Sequence, residues 1–314
     1  MTKNKYLPEG SLLFTRENRE YLSSLSSLER AKNEGKILEA IATKCISSTL
    51  TLEVDLNGIK GVIHKEECLL DEEIKDIAII TRVGKAVAFK ILGIEKNELG
   101  KPIAILSRKE AQRDCLNNYL LDLIPGDIIP AKITHFEPFG AFLDVGCGIS
   151  SLISIDSISV SRIESPRDRF EGHEEIKVVV KSIDYDTGRI YVSTKELFGT
   201  WEENVASFSA GQTVSGIIRS IESYGIFVEL APNLAGLAEL KEDVSVGEGC
   251  AVYIKSIIPD KMKIKLVIID TYDKVLREST EKHYYIDTDK VSHIDRWRYS
   301  PPASQRVIET IFTK

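Results

Sequence analysis

Residues 126–142, GDIIPAKITHFEPFGAF, and residues 211–227, GQTVSGIIRSIESYGIF, are two copies of one pattern. In each, a glycine opens an apolar, β-branched stretch. Thirteen residues later both reach aromatic-Gly-apolar-Phe without a gap, as Phe139-Gly140-Ala141-Phe142 and Tyr224-Gly225-Ile226-Phe227. A period of about 85 residues in a chain of 314 points to a repeat architecture.

Downstream the copies stay in step. A short turn follows, GISSLIS from Gly148 or NLAGLAE from Asn233, then a polar loop with Gly172 or Gly247. An alternating segment comes next, KVVVKSID or AVYIKSII, and a last one, RIYVSTK or KIKLVII. Five short strand signals separated by turn residues predict a five-stranded antiparallel barrel for each unit. A more diverged copy begins at Gly35 and runs through KILEAIATKC, LTLEVDL, GIKGVIH and VGKAVAFKILGIE to IAILSRKE. Its Ser107-x-Lys109-Glu110 matches Ser193-x-Lys195-Glu196 of the middle copy, but its two aromatic positions fall near Ser48 and Thr51. The first copy keeps the strand pattern and loses the rings.

Between copies the apolar period changes from two to about 3.6. Cys115, Leu116, Tyr119 and Leu120 share one helical face, as do Leu197, Trp201, Val205 and Phe208, and Pro125-Gly126 and Gly211 end the two stretches. Tyr21, Leu22, Leu25 and Leu28 predict one helix over about 16–33, ended by Gly35. The expected organisation is a helical segment (1–33), a diverged barrel (34–110), a linker helix (111–124), the best-patterned barrel (125–197), a second linker helix (198–209), a third barrel (210–270) and a tail (271–314) that starts helically and ends extended. Pro301-Pro302 forbids helix at its end.

Composition narrows the function. Hydrophobic residues are 43% and charged residues 28%, and no apolar run approaches the roughly 18 residues of a membrane span. MTKNKYLPEGSLLF lacks the order of a secretory signal, so the expectation is a cytoplasmic protein without a membrane. Cys45, Cys68, Cys115, Cys147 and Cys250 are odd in number and form no C-x-x-C, which favours free thiols. The net charge is −7, and each copy is acidic: Lys plus Arg number 11 against 12 Asp plus Glu over 34–108, 8 against 12 over 125–198, and 6 against 8 over 210–270. Attraction for a polyanion must therefore come from a local surface. Phosphate-loop, dinucleotide, zincin and hydrolase signatures are all missing, and His135, His173, His283 and His293 are scattered singly, so neither an enzyme, a metal site nor a cofactor is expected.

The order G-x(12)-[FY]-G-x-F, G-x-x-[GS]-L, then Ile183-Asp184-x-Asp186-x-Gly188-Arg189-Ile190-x-Val192-Ser193-x-Lys195 resembles the S1 RNA-binding domain, the repeat unit of the largest bacterial small-subunit ribosomal protein. The layout with its HIDRWRYSPP tail is similar to the short S1-like proteins of certain Gram-positive bacteria. That resemblance implies three tandem OB-fold barrels, joined by short helices, that bind single-stranded RNA on one face. By position it implies RNA contacts at Phe139, Phe142, Asp184 and Arg189 in the middle copy, and at Tyr224, Phe227 and Lys263 in the third. Where the family often has histidine, these copies have Ser154 and Glu239, and the ringless first copy has His64.

Physical chemistry agrees, because unpaired bases stack on rings at about 1 to 3 kcal/mol each while cations meet the phosphates. Residues three apart on a strand face opposite ways, so Phe139 and Phe142 share a surface only if Gly140 bends the chain. Phe136 fits the core instead. The carboxylates Asp71-Glu72-Glu73 and Glu174-Glu175 read as solvated loops, Trp201 as a helix-docking residue, and Arg296-Trp297-Arg298-Tyr299 as a strand pinned on a barrel rather than an RNA surface. The expected function is binding of messenger RNA by a monomer, with the small ribosomal subunit as a further partner. The alternative is a protein-interaction adaptor with little RNA affinity.

Overall fold

A computed structural model of the chain describes residues 5–70, 75–272 and 284–313. The 71–73 carboxylates, His283 and most of the expected helical start of the tail lie outside them. Thr271 and Tyr272 belong to a strand.

The chain enters through an extended segment and two helices, α1 (Arg16–Tyr21) and α2 (Leu25–Asn33). The expected single helix is broken at Ser24, which is extended (φ −159°, ψ 163°) and whose hydroxyl accepts from the Ser27 amide. A serine satisfies that amide more readily as an N-cap than within a helix, so the chain restarts there.

The first barrel is β1 (Leu38–Ile46), β2 (Thr51–Leu56), β3 (Ile59–Ile63), a short α3 (Asp76–Ile80), β4 (Ala86–Lys96) and β5 (Pro102–Ser107). α4 (Arg108–Asn118) leads on, its first turn capped by the Ser107 hydroxyl accepting from the Glu110 amide. The middle barrel comprises β6 (Ile128–Glu137), β7 (Gly140–Asp144), β8 (Ser150–Ser154), one turn of α5 (Ile155–Ile158), β9 (Glu175–Asp184) and β10 (Arg189–Ser193). After α6 (Trp201–Val205) the third is β11 (Thr213–Glu222), β12 (Gly225–Ala231), β13 (Leu234–Ala238), β14 (Gly249–Ile258) and β15 (Lys263–Tyr272). The tail ends in a small hairpin, β16 (Arg296–Arg298) with β17 (Glu309–Ile311).

Each group of five strands closes into a barrel. The barrels are not wholly antiparallel. An odd ring of strands cannot alternate direction all the way round, so each has one parallel pairing: β3 with β5, β8 with β10, β13 with β15. Alternate residues fill the interiors. In the middle barrel these are Ile133, Ala141, Leu143, Ile153, Val178, Val180, Ile190 and Val192. Each such Ile, Leu or Val stabilises the fold by about 1.5 to 3 kcal/mol.

Neighbouring barrels are joined by buried charge. Glu9, on the entering segment, accepts from Arg108 Nε at 2.6 Å, from Arg82 at 3.1 Å and from the Ala88 amide, while its own amide donates to Asp144 of β7 at 2.6 Å. Between the middle and third barrels, Glu229 of β12 takes 2.7 Å bonds from both Arg169 and Arg219, and Arg219 also reaches Asp168. The tail straps the same two barrels. The Ile128 amide donates to the Ser292 carbonyl of the tail and the tail's Ile294 amide donates to the Gly126 carbonyl, while Trp297 and Tyr299 are buried in the third core. The RWRY rings therefore brace the fold, and Trp201 is buried in the same core.

Candidate nucleic-acid interface

Each barrel places one row of side chains across its outer face. Register runs His135–Phe142–Leu152–Tyr191–Ser182 in the middle barrel. In the third it runs Ser220–Phe227–Leu237–Lys265–Ser256, and in the first Lys44–Glu53–Val62–Ile105–Gly93.

Phe139 is 55% exposed and Phe142 half-buried, both outside the core. Their ring centroids are 6.4 Å apart at 86°. Tyr224, 66% exposed, and Phe227 repeat this at 6.2 Å and 90°. An edge-to-face pair is a favoured ring geometry, and it leaves the outer ring's faces open. Phe136 turns the other way, packing on the middle core beneath the Arg167 guanidinium at 4.4 Å.

The reason the two rings share a side differs from the sequence expectation. Phe139 lies in the two-residue turn before β7, where strand alternation does not apply, and Gly140 is needed for proximity instead. A Cβ there would sit 2.1 Å from the Ile153 carbonyl, and one on Gly225 would sit 2.6 Å from that of Ala238. The glycine lets β8 approach closely enough to close the barrel behind the rings.

The first barrel's equivalents are also displaced from expectation. Its β1–β2 turn is two residues longer, so the positions matching Phe139 and Phe142 are Leu50 and Glu53, not Ser48 and Thr51. Glu53 pairs with Lys60 at 2.5 Å. A carboxylate here repels phosphate.

Arg189 and Lys263 occupy the same place at the start of the last strand, and both are exposed. From Phe142, Arg189 is two strands and one row away, about 10 Å across and 7 Å along the sheet. Asp184, paired with Arg189, accepts from the amides of Asp186 and Thr187 and from the Thr187 hydroxyl at 2.7 Å, which holds its carboxyl below the usual aspartate range. Its oxygens form the hairpin turn. Ser154 bonds Ser157, Glu239 lies 3.7 Å from Lys255, and His64 is exposed.

Two ring-bearing residues escaped the sequence reading. His135 stacks on Phe142 with centroids 6.3 Å apart at 27°. Tyr191, 37% exposed, stands in the same row between buried Ile190 and Val192. Its signal was present, an aromatic on the polar side of RIYVS. Tyr191, Leu152, Ser154, Ser157 and Lys181 line a cavity of about 120 Å³ beside the rings. Among the described residues no group of His, Cys, Asp or Glu is arranged to hold a metal, and no helix is long and apolar enough to cross a membrane.

Residues 122–195 match the S1 RNA binding domain family. The small ribosomal subunit protein bS1 of Staphylococcus aureus (strain COL) is 29% identical over 240 residues, covering 74% of this chain and 58% of that protein. That of Chlamydia muridarum is 27% identical over 254 residues, covering 77% and 44%. The chain thus spans about half the length of these curated relatives. A multidomain protein with nucleic acid binding domains from Streptococcus pneumoniae aligns over 78% of this chain and 76% of that one at 13% identity, with a TM-score of 0.25. The matched segment coincides with the barrel that carries the Phe139–Phe142 pair, two further barrels repeat its topology, and the chain as a whole is similar to bS1.

Proposed function

We propose that the chain binds single-stranded RNA on the outer faces of its middle and third barrels, acting in translation on messenger RNA or at the small ribosomal subunit. The observation that carries this is the recurrence of one exposed edge-to-face ring pair on two barrels and its replacement by Leu50 and Glu53 on the first. Phe139, Phe142, Tyr224 and Phe227 stack bases, Arg189 and Lys263 meet phosphate, and Asp184 holds the turn that presents Arg189. The protein acts as a cytoplasmic monomer that binds without chemistry.

Magnitudes say what else is needed. One base stacked on each barrel supplies about 2 to 6 kcal/mol, short of the roughly 8 kcal/mol of a micromolar complex. Phosphate contacts supply the rest, so binding depends on salt. Filter binding of the full chain to unstructured RNA tests the reading. Salt-dependent retention at micromolar protein is expected, and no retention at low salt overturns it.

A further inference from the structure

We propose that the cleft where the middle barrel, the third barrel and the C-terminal segment meet is a composite site for one nucleotide of the RNA strand, with Arg306 of the C-terminal segment binding its phosphate. The proposal rests on the single-strand RNA reading above and adds a wall to it. The cleft holds about 470 Å³, within the roughly 300 to 1,000 Å³ of small-ligand sites. The third barrel contributes Tyr224, Phe227 and Lys263, the middle barrel contributes Arg162, and the tail contributes Tyr299 and Arg306.

Its charge is unlike that of the rest of the molecule. Five cations line the cleft, Arg162, Arg219, Lys261, Lys263 and Arg306, and no carboxylate does, in a chain of net charge −7. Two of the five are already engaged. Arg219 is neutralised by Glu229 and Asp168, and Arg162 meets Glu222 at 3.2 Å. Lys261, Lys263 and Arg306 are exposed and form no ion pair among the described residues. The turn carrying the two lysines holds Met262 in the left-handed region (φ 48°, ψ 45°), a costly conformation for methionine that places it on the cleft wall between them.

The walls are fixed before any ligand arrives. The Tyr299 hydroxyl donates to the Asn233 carbonyl at 2.5 Å, the Trp201 amide donates to the Tyr299 carbonyl, and Thr310 donates to Glu196 at 2.8 Å. On the opposite side Arg169 donates to the Pro232 carbonyl at 2.8 Å as well as to Glu229. A preformed cleft loses little freedom on binding. Open ring faces at Tyr224 beside unpaired cations match a base joined to phosphate. An acidic peptide would use the cations and leave the ring face idle.

The test measures fluorescence anisotropy of an unstructured oligoribonucleotide with the full chain, its Arg306→Ala and Arg162→Ala variants, and Phe142→Ala as a control in the other barrel. Arg306→Ala should weaken binding about 3- to 10-fold and reduce the log–log salt slope by about 0.7, one lost phosphate contact on a single strand, with unchanged melting. Arg162→Ala should act in the same direction. Wild-type affinity and slope in both variants, with Phe142→Ala weakened, overturns the composite site and leaves RNA binding standing. Failure of the wild-type chain to bind RNA overturns both readings. Arg306-dependent binding of polyglutamate in place of RNA overturns the nucleotide as occupant.

Discussion

Phe142 separates platform from core at the scale of one side chain. It is half-buried and lies outside the middle core, so Phe142→Ala should cost about 1 to 3 kcal/mol of RNA affinity and leave melting nearly unchanged, whereas a core phenylalanine would cost about 3 to 5 kcal/mol of stability. Tyr191→Ala should weaken RNA in the same way, since it stands one strand beyond Leu152 in the same row; parallel melting and anisotropy curves check both. Glu39 makes a different prediction. Burial lifts its carboxyl to about 8, and the nearby carboxylates of Glu9 and Asp144 push the same way, although its Oε2 accepts from the amides of Gly10 and Leu12. A folded pKa above the unfolded one means that the native state holds the extra proton. The stabilisation is complete below about pH 4.3 and is lost as pH rises through about 8. Glu39→Gln should therefore melt progressively higher than wild type as pH rises from 5 to 8, with the gap constant above; a pH-independent gap would contradict it.

Strands and turns decide whether the rings are presented at all. Gly140→Ala forces a Cβ against the Ile153 carbonyl, so β8 must move away from β7. Overpacking of this kind costs about 1 to 3 kcal/mol, and it should lower both melting temperature and RNA affinity, unlike Phe142→Ala. Across the barrel junction, Glu229→Ala leaves Arg169 and Arg219 buried without their shared partner. Breaking such a buried pair costs about 3 to 5 kcal/mol. Differential scanning calorimetry should show the third barrel melting well below wild type.

At the scale of the whole molecule the first barrel braces the middle one, and we propose that its outer face takes no part in RNA binding. Tyr6, Ile37 and Ala88 are buried in the middle barrel's core, and Arg108 is buried against Glu9. Removing residues 1–110 would thus strip the middle barrel of part of its own interior. The assignment is tested by Glu53→Ala in the intact chain, which should leave RNA affinity within twofold, and a larger gain, from removing a carboxylate that repels phosphate, would show that the first barrel's outer face takes part. With only a handful of cations beside the ring pairs, Arg189, Lys261, Lys263 and Arg306 among them, the salt slope of the full chain should be shallow. Three to five phosphate contacts correspond to about −2 to −3.5.

The sequence alone determined three barrels, because alternation, turn residues and the repeat between Gly126 and Gly211 are local signals that propensity and period convey. It also located the ring pairs, since a spacing kept through two copies survives without knowledge of contacts. It misassigned what depends on through-space neighbours. Gly140 serves a carbonyl on β8, Ser24 divides a helix, and the ring positions of the first barrel shift with a longer turn. Tyr191 joins Phe142 only across two strand pairings. The cation-lined cleft was beyond sequence reading, because Arg162, Lys263 and Arg306 come from three separate parts of the chain. Average charge over each copy is acidic, and only the tertiary packing of barrels and tail gathers Lys261, Lys263 and Arg306 at one cleft that no carboxylate lines.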